Sequence, residues 1–195
     1  KRFVQLCTER LLPHFHLSVQ SGTTRTLNRM RRRYTADKVA ENMEIVRRYI
    51  PEATFSADVI VGFPGETDED FETTVEFFKK TRFMHLHIFP YSIRKGTEAA
   101  TMPDQIADDI KKERAARLAE VQNMIKSEIL DKYIEDHRDT PVYVLGEKWE
   151  DGITNGHSQH FIECDIETDF DGTGHILPVC LVGREGFVLK GKIKE

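Results

Sequence analysis

Cysteine is scarce in this sequence: three among 195 residues, Cys7, Cys164 and Cys180. They are scattered and form no Cys-x-x-Cys pair. That excludes a disulfide framework and, on count alone, a cysteine-held metal cluster within these residues, and it fits a reducing cytoplasm. No apolar run approaches the roughly 20 residues of a membrane span, and no signal-peptide pattern opens the sequence, so no membrane partner is expected. Neither sign of charge dominates, with 28 Lys and Arg against 33 Asp and Glu and a formal net charge of -5. This argues against a basic protein that coats nucleic acid non-specifically. Internal repeats and low-complexity stretches are absent. An initiator Met is absent too, and Lys1–Leu12 reads as the end of a helix without its start, broken by Pro13. The sequence is therefore expected to be a piece of a longer protein.

What is present alternates strand and helix. His14–Gln20 reads as a strand with Phe15, Leu17 and Val19 on one face and His14, His16, Ser18 and Gln20 on the other. A helix is expected over Thr35–Tyr49, a strand over Thr54–Phe63, a helix from the N-cap Thr67 to about Thr81, and a strand over Met84–Phe89. Short strands separated by such helices point to βαβ units and parallel strands. From Asp104 to about Asp136 one long charged helix carries a stripe of Ile106, Ile110, Leu118, Val121, Ile125 and Ile129. Beyond Asp139 the pattern is all-β, with strands expected at Pro141–Leu145, Phe161–Ile166, Ile176–Val182 and Phe187–Ile193. Asp151-Gly152, Asn155-Gly156 and Asp171-Gly172 read as turns. The expected domains are residues 1–138 and 139–195. The first holds 23 basic and 22 acidic residues, the second 5 and 11, so the small β module is acidic.

Three stretches could carry chemistry. At the carboxyl end of the first strand, Gln20 and Ser21 before Gly22 are placed to hydrogen-bond a small polar ligand, or they form only a polar turn. Asp58 through Gly62 and Gly65 to Glu66 runs from a strand into a helix start. The glycines would let a ligand approach the backbone, but no phosphate-loop Lys follows, and Glu66, Asp68, Glu69 and Asp70 would repel an anion. The run Arg25, Arg29, Arg31, Arg32 and Arg33 is either a clamp for carboxylate or phosphate, an RNA contact, or a solvated face. His14, His16, His85 and His87 read as polar residues bonding neighbours such as Asp58 rather than as a metal site. Phe89 to Tyr91 could stack on a base.

In order, four segments resemble the tRNA methylthiotransferases, a branch of the radical S-adenosylmethionine enzymes: His14-Phe-His-Leu-Ser-Val-Gln-Ser-Gly22, Leu27-Asn-Arg-Met-Arg-Arg-Arg-Tyr-Thr35, Asp58-Val-Ile-Val-Gly-Phe-Pro-Gly-Glu-Thr67 and Phe89-Pro-Tyr-Ser-Ile-Arg-Lys-Gly-Thr97. The resemblance implies an α/β fold: the C-terminal part of a partial (β/α) barrel with parallel strands, then a long helix and a small TRAM-like or OB-like β-barrel. It implies S-adenosylmethionine as cofactor and two 4Fe-4S clusters, one bound through Cys-x3-Cys-x2-Cys. That triad is not in this sequence, so these residues alone are expected to be inactive, with no metal ligands among them.

By the same resemblance Gln20 and Ser21 lie beside the cofactor and Arg32 takes its methionine carboxylate. Asp58 and the Gly62–Glu66 turn shape the floor under the adenosyl group, and Phe89 and Tyr91 lie against adenine. Its wording is most similar to the type that adds methylthio at carbon 2 of N6-threonylcarbamoyladenosine 37, with the isopentenyladenosine type next. The type acting on a ribosomal-protein aspartate ranks third, because its strand end reads Gln-His. The implied partners are a tRNA anticodon stem-loop and the N-terminal remainder of the same protein, and the exposed barrel edge offers a surface for self-association. Two alternatives stand beside this reading: another radical enzyme sharing the half-barrel, and a non-catalytic nucleoside- or RNA-binding module.

Overall fold

The computed structural model describes residues 11–194. Cys7 and most of the helix end expected over Lys1–Leu12 lie outside the described residues. The chain divides into two compact units; residues 15–51 and 55–125 form the body of the first, and residues 52–54 and 126–195 the body of the second. Among the described residues no helix is long and apolar enough to cross a membrane.

The first unit is built on a parallel three-stranded sheet in the order β1 (His14–Gln20), β2 (Thr54–Val61), β3 (His85–Pro90). Residues opposite each other on β1 and β2 keep a constant offset: His14 Nδ1 lies 2.9 Å from Thr54 Oγ1 and His16 Nδ1 lies 2.9 Å from Ser56 Oγ. Between β2 and β3 the register runs from Ser56 opposite His85 to Val61 opposite Pro90. All three strands therefore end on one edge, where a ligand of a parallel sheet binds. A short helix α1 (Thr24–Arg29), absent from the sequence expectation, follows β1 and is capped by the Thr23 hydroxyl. Helix α2 (Ala36–Tyr49) is capped by Thr35.

Helix α3 (Asp68–Thr81) has the expected cap, and Thr67 and Asp70 form a reciprocal capping box. Its face Phe71, Val75 and Phe78 is buried together with Phe55, Val59 and Phe83. Burying such side chains supplies about 1.5–3 kcal/mol each, before conformational entropy is subtracted. Helix α4 (Asp108–Asp136) starts four residues later than its sequence pattern predicts. Its first inward positions are Lys111 and Arg114 rather than Ile106 and Ile110; Ile110 is exposed and Ile106 half-buried. The expected stripe holds from Leu118 through Val121 to Ile125.

The second unit is a closed barrel, β4 (Val142–Glu150), β5 (Ile153–Ser158), β6 (Glu163–Glu167), β7 (Ile176–Glu185) and β8 (Val188–Ile193), ordered β4-β5-β6-β8-β7. Only β6 and β8 run parallel. Val142, Val144, Cys164, Ile166, Val179 and Leu189 fill its interior at alternate positions. Asn155-Gly156 is the middle of β5 and not a turn. The register shifts between Gly146 and Lys148, and there the Leu145 carbonyl lies where a Cβ of residue 156 would stand, so glycine is required for close approach.

Candidate functional site

The carboxyl edge of the sheet opens into a cavity of about 470 Å³ lined by Gln20, Asp58, Ile60, Phe89, Tyr91 and Arg94, with Pro90, Ser92, Thr97 and Ala99. A smaller cavity of about 220 Å³ shares Ile60 and Ala99 with it and is lined by Arg29, Arg31, Arg32, Phe63, Glu98 and Met102 among others. The two form adjoining lobes of one cleft, both within the first unit.

Gln20 ends β1 in a strained turn. Its φ is +69°, left-handed for a residue with a side chain, and the Ser21 N–H donates to the Val19 carbonyl at 2.9 Å, which closes a γ-turn around it. The Tyr34 hydroxyl holds the turn from the other side, donating to the Ser18 carbonyl at 2.5 Å. Burial raises the Tyr34 pKa, so the group stays a donor. Gln20 itself is 7 % exposed, and its amide has no hydrogen bond among the described residues. The strained backbone thus holds an unspent amide at the cavity wall, where it can meet a ligand.

Asp58 stands next to it on β2. Its carboxylate faces His16 Nε2 at 3.3 Å, and His16 is tethered through its other nitrogen to Ser56. The histidines therefore serve the sheet's polar face, as their alternation predicts. Phe89 and Tyr91 supply the aromatic wall. The Tyr91 hydroxyl is buried without a hydrogen-bond partner among the described residues, and the Lys111 ammonium lies 5.6 Å from its ring centroid.

Four of the expected site residues, Gln20, Asp58, Phe89 and Tyr91, thus meet in the larger lobe. Arg32 lies in the smaller lobe, exposed, and its guanidinium makes no hydrogen bond or ion pair among the described residues. The structure does not bring Ser21, Gly62 or Glu66 to either lining. Ser21 is buried, its hydroxyl 3.5 Å from Thr74 Oγ1 and accepting from the Thr23 N–H. Gly62 and Gly65 have φ of +71° and +78°, but what approaches their backbone is protein: the Lys111 stem at Gly62 and the Arg29 guanidinium at Gly65.

Glu66 is buried. It accepts from the Gly62 N–H at 2.9 Å and from Arg114 Nη1 at 2.8 Å, and Arg114 Nη2 also reaches Asp68 at 2.6 Å. Burial raises the Glu66 pKa, opposed by the Gly62 hydrogen bond and by Arg114. Asp70 pairs with Arg25. Two guanidinium groups thus offset part of the acidic turn's charge from within, and the pairs tie down the β2–α3 connection. Most of the arginine run is spent the same way: Arg25 also donates to the Gly65 carbonyl, Arg29 to the Pro64 carbonyl and Arg31 to Glu98. Sequence reasoning gave Arg94 no role, although it stands in the same segment as Phe89 and Tyr91. Only the cavity reveals it.

The Radical SAM superfamily model matches residues 1–78. A tRNA-2-methylthio-N(6)-dimethylallyladenosine synthase of Pelotomaculum thermopropionicum is 37% identical over 177 residues, 90% of this chain and 39% of the relative. The threonylcarbamoyladenosine tRNA methylthiotransferase MtaB of Bacillus subtilis is 34% identical over 173 residues, 88% of this chain and 38% of its own length. A tRNA-2-methylthio-N(6)-dimethylallyladenosine synthase of Fusobacterium nucleatum reaches 50% identity over 108 residues, 55% of this chain and 25% of the relative. The chain belongs to the radical SAM tRNA methylthiotransferase family. It spans under two fifths of the length of the first two relatives.

The family implies S-adenosylmethionine and iron–sulfur clusters. The cleft fits the first: an apolar and aromatic floor, an unspent amide, a carboxylate, and a free guanidinium in each lobe. It offers nothing for the second. Among the described residues no three His, Cys, Asp or Glu side chains gather to hold a metal ion. Cys164 is buried in the barrel, where burial pushes its thiol up to about 12.

Proposed function

We propose that this chain is the C-terminal part of a tRNA methylthiotransferase that adds a methylthio group at carbon 2 of N6-threonylcarbamoyladenosine 37. The strained, unspent Gln20 amide beside Asp58 in the 470 Å³ lobe carries the reading, because it is a prepared polar site at the carboxyl end of parallel strands. S-adenosylmethionine binds across the two lobes: adenine against Phe89 and Tyr91, the ribose hydroxyls toward Gln20 and Asp58, and the methionine carboxylate on Arg32. Ser21, Gly62 and Glu66 act from behind, by holding the β1 and β2 ends in shape. Both clusters are ligated elsewhere in the protein. The barrel is a TRAM-like module, and the tRNA anticodon stem-loop is the partner of the whole enzyme in a reducing cytoplasm.

The isopentenyladenosine type is the second reading, favoured by the names of the Pelotomaculum and Fusobacterium relatives. Nucleoside mass spectrometry of tRNA from a strain lacking the gene separates them. Accumulated N6-threonylcarbamoyladenosine without methylthio supports the first reading. Accumulated isopentenyladenosine supports the second, and an unchanged nucleoside profile removes both.

A further inference from the structure

The cleft holds two guanidinium groups that the protein itself does not use. Arg29 and Arg31, which also border it, are committed to the Pro64 carbonyl and to Glu98. The guanidinium groups of Arg32 in the smaller lobe and Arg94 in the larger one make no hydrogen bond or ion pair among the described residues. Among the described residues Arg94 is also the only cation lining the larger lobe. Its one acidic neighbour in that lining, Asp58, is engaged by His16 at 3.3 Å.

A guanidinium presents a rigid fork of donors and cannot lose its proton, so beside an apolar floor it selects a carboxylate or phosphate. Ile60, Phe89, Pro90 and Tyr91 form such a floor next to Arg94. S-adenosylmethionine carries a single carboxylate. If Arg32 takes it, as the proposed function requires, the anion for Arg94 must come from another molecule. The molecule that has to enter the larger lobe is the substrate, because the reacting carbon must come within contact distance of the adenosyl group.

We infer that Arg94 is a substrate-binding residue that grips an anionic oxygen group of the target nucleotide. This inference rests on the proposed reading of the cleft. Two sources offer that chemistry: the carboxylate of an amino-acid substituent on the adenine N6, and a phosphate of the RNA backbone. A carboxylate would make Arg94 part of the recognition of the modified base. A phosphate would make it a positioning contact that is blind to the modification.

Binding of anticodon stem-loop RNA to the full-length protein tests this, with two otherwise identical RNAs carrying N6-threonylcarbamoyladenosine or plain adenosine at the target position. The variants are Arg94→Gln and the conservative Arg94→Lys, with S-adenosylmethionine affinity measured in parallel. The Arg94 side chain is exposed and makes no hydrogen bond or ion pair among the described residues, while its carbonyl keeps the Thr97 hydrogen bonds whatever the side chain, so both variants should keep the wild-type unfolding midpoint.

Arg94→Gln should weaken RNA binding about ten- to a hundred-fold, the range for losing a charge-assisted pair, with partial rescue by Lys and unchanged cofactor affinity. A loss confined to the modified RNA identifies the carboxylate, and an equal loss on both identifies the phosphate. Unchanged RNA binding overturns the inference, and so does a loss of S-adenosylmethionine affinity, which would make Arg94 a cofactor residue. If the wild-type protein binds neither RNA, the proposed function fails and this inference falls with it.

Discussion

Acidification should destabilise the second unit through one side chain, His160. Its imidazole is 0 % exposed; Nδ1 lies 2.8 Å from the Tyr133 hydroxyl, while Nε2 is buried with no hydrogen-bond partner among the described residues. The nearest carboxylate, Glu52, is 3.9 Å from Nε2 with a largely solvated side chain, too distant and too wet to offset burial of an imidazolium. Burial, reinforced by His137 and His14, lowers the pKa from 6.5 to about 4. The folded value lies below the unfolded one, so between those limits the unfolded chain binds a proton that the folded chain does not. Stability is therefore complete above pH 6.5, erodes as pH falls, and levels off below pH 4.

The fall from 6.5 to about 4 corresponds to roughly 3 kcal/mol in full and about 2 kcal/mol at pH 5, a large share of a typical 5–15 kcal/mol. Urea unfolding at pH 7.5, 6.5, 5.5 and 5.0, compared between wild type and His160→Gln, isolates this contribution. Carboxylates held low by their partners, such as Asp131 beside Arg184, titrate below that window and cancel in the comparison. His160→Gln should cost stability at pH 7.5, and the gap should shrink by about 2 kcal/mol at pH 5.0. A gap that stays constant over this range would refute a neutral, buried His160.

Removing one member of the buried Arg114–Glu66 pair should be costly. Arg114→Met leaves Glu66 buried without its cation and should lower stability by about 3–5 kcal/mol, whereas the double change Arg114→Met with Glu66→Leu should recover much of that in a denaturant titration. Gly22→Ala places a Cβ 2.7 Å from the Thr74 Cα, a backbone atom that cannot swing aside, and should cost about 1–3 kcal/mol by thermal unfolding. Gln20→Gly should do the opposite for stability. Relief of the +69° φ gains about 1 kcal/mol, while S-adenosylmethionine affinity falls in the full-length protein; a variant that is both weaker in folding and unchanged in affinity would refute the role given to this turn. Reconstituted with iron and sulfide under anaerobic conditions, these 195 residues should give no iron–sulfur EPR signal, and a cluster signal would contradict the reading that the ligands lie elsewhere.

The strands and capped helices of the first unit were legible because local chemistry and tertiary demand agree there. Thr67 with Asp70 writes a capping box into four residues, and Phe71, Val75 and Phe78 repeat at the period of the face they bury. Where local signals and tertiary packing disagree, the reading failed. Asn155-Gly156 is a strong turn dipeptide, yet the glycine is needed because the Leu145 carbonyl fills the space a side chain would take. Ile106 and Ile110 fit a helical stripe, but the first inward positions of α4 face the β2–α3 connection, where the Lys111 stem lies on Gly62 and Arg114 meets Glu66 and Asp68, so Lys111 and Arg114 occupy them instead.

The site follows the same logic with charge in place of hydrophobicity. A sequence displays every ionisable side chain as if it were available, and what removes it from availability is a partner far along the chain. Glu66 looked like part of a ligand turn until Arg114, 48 residues away, neutralised it; Arg25 looked like part of a clamp until Asp70, 45 residues away, claimed it. Availability is thus a remainder, visible only after the internal pairs are subtracted. Across the cleft that subtraction leaves the Gln20 amide and the Tyr91 hydroxyl, two neutral groups, with the Arg32 and Arg94 guanidinium groups, two cations in separate lobes. A single zwitterionic cofactor can satisfy one of those cations. On the proposed reading, the cation left over in the other lobe is the one that meets the nucleotide.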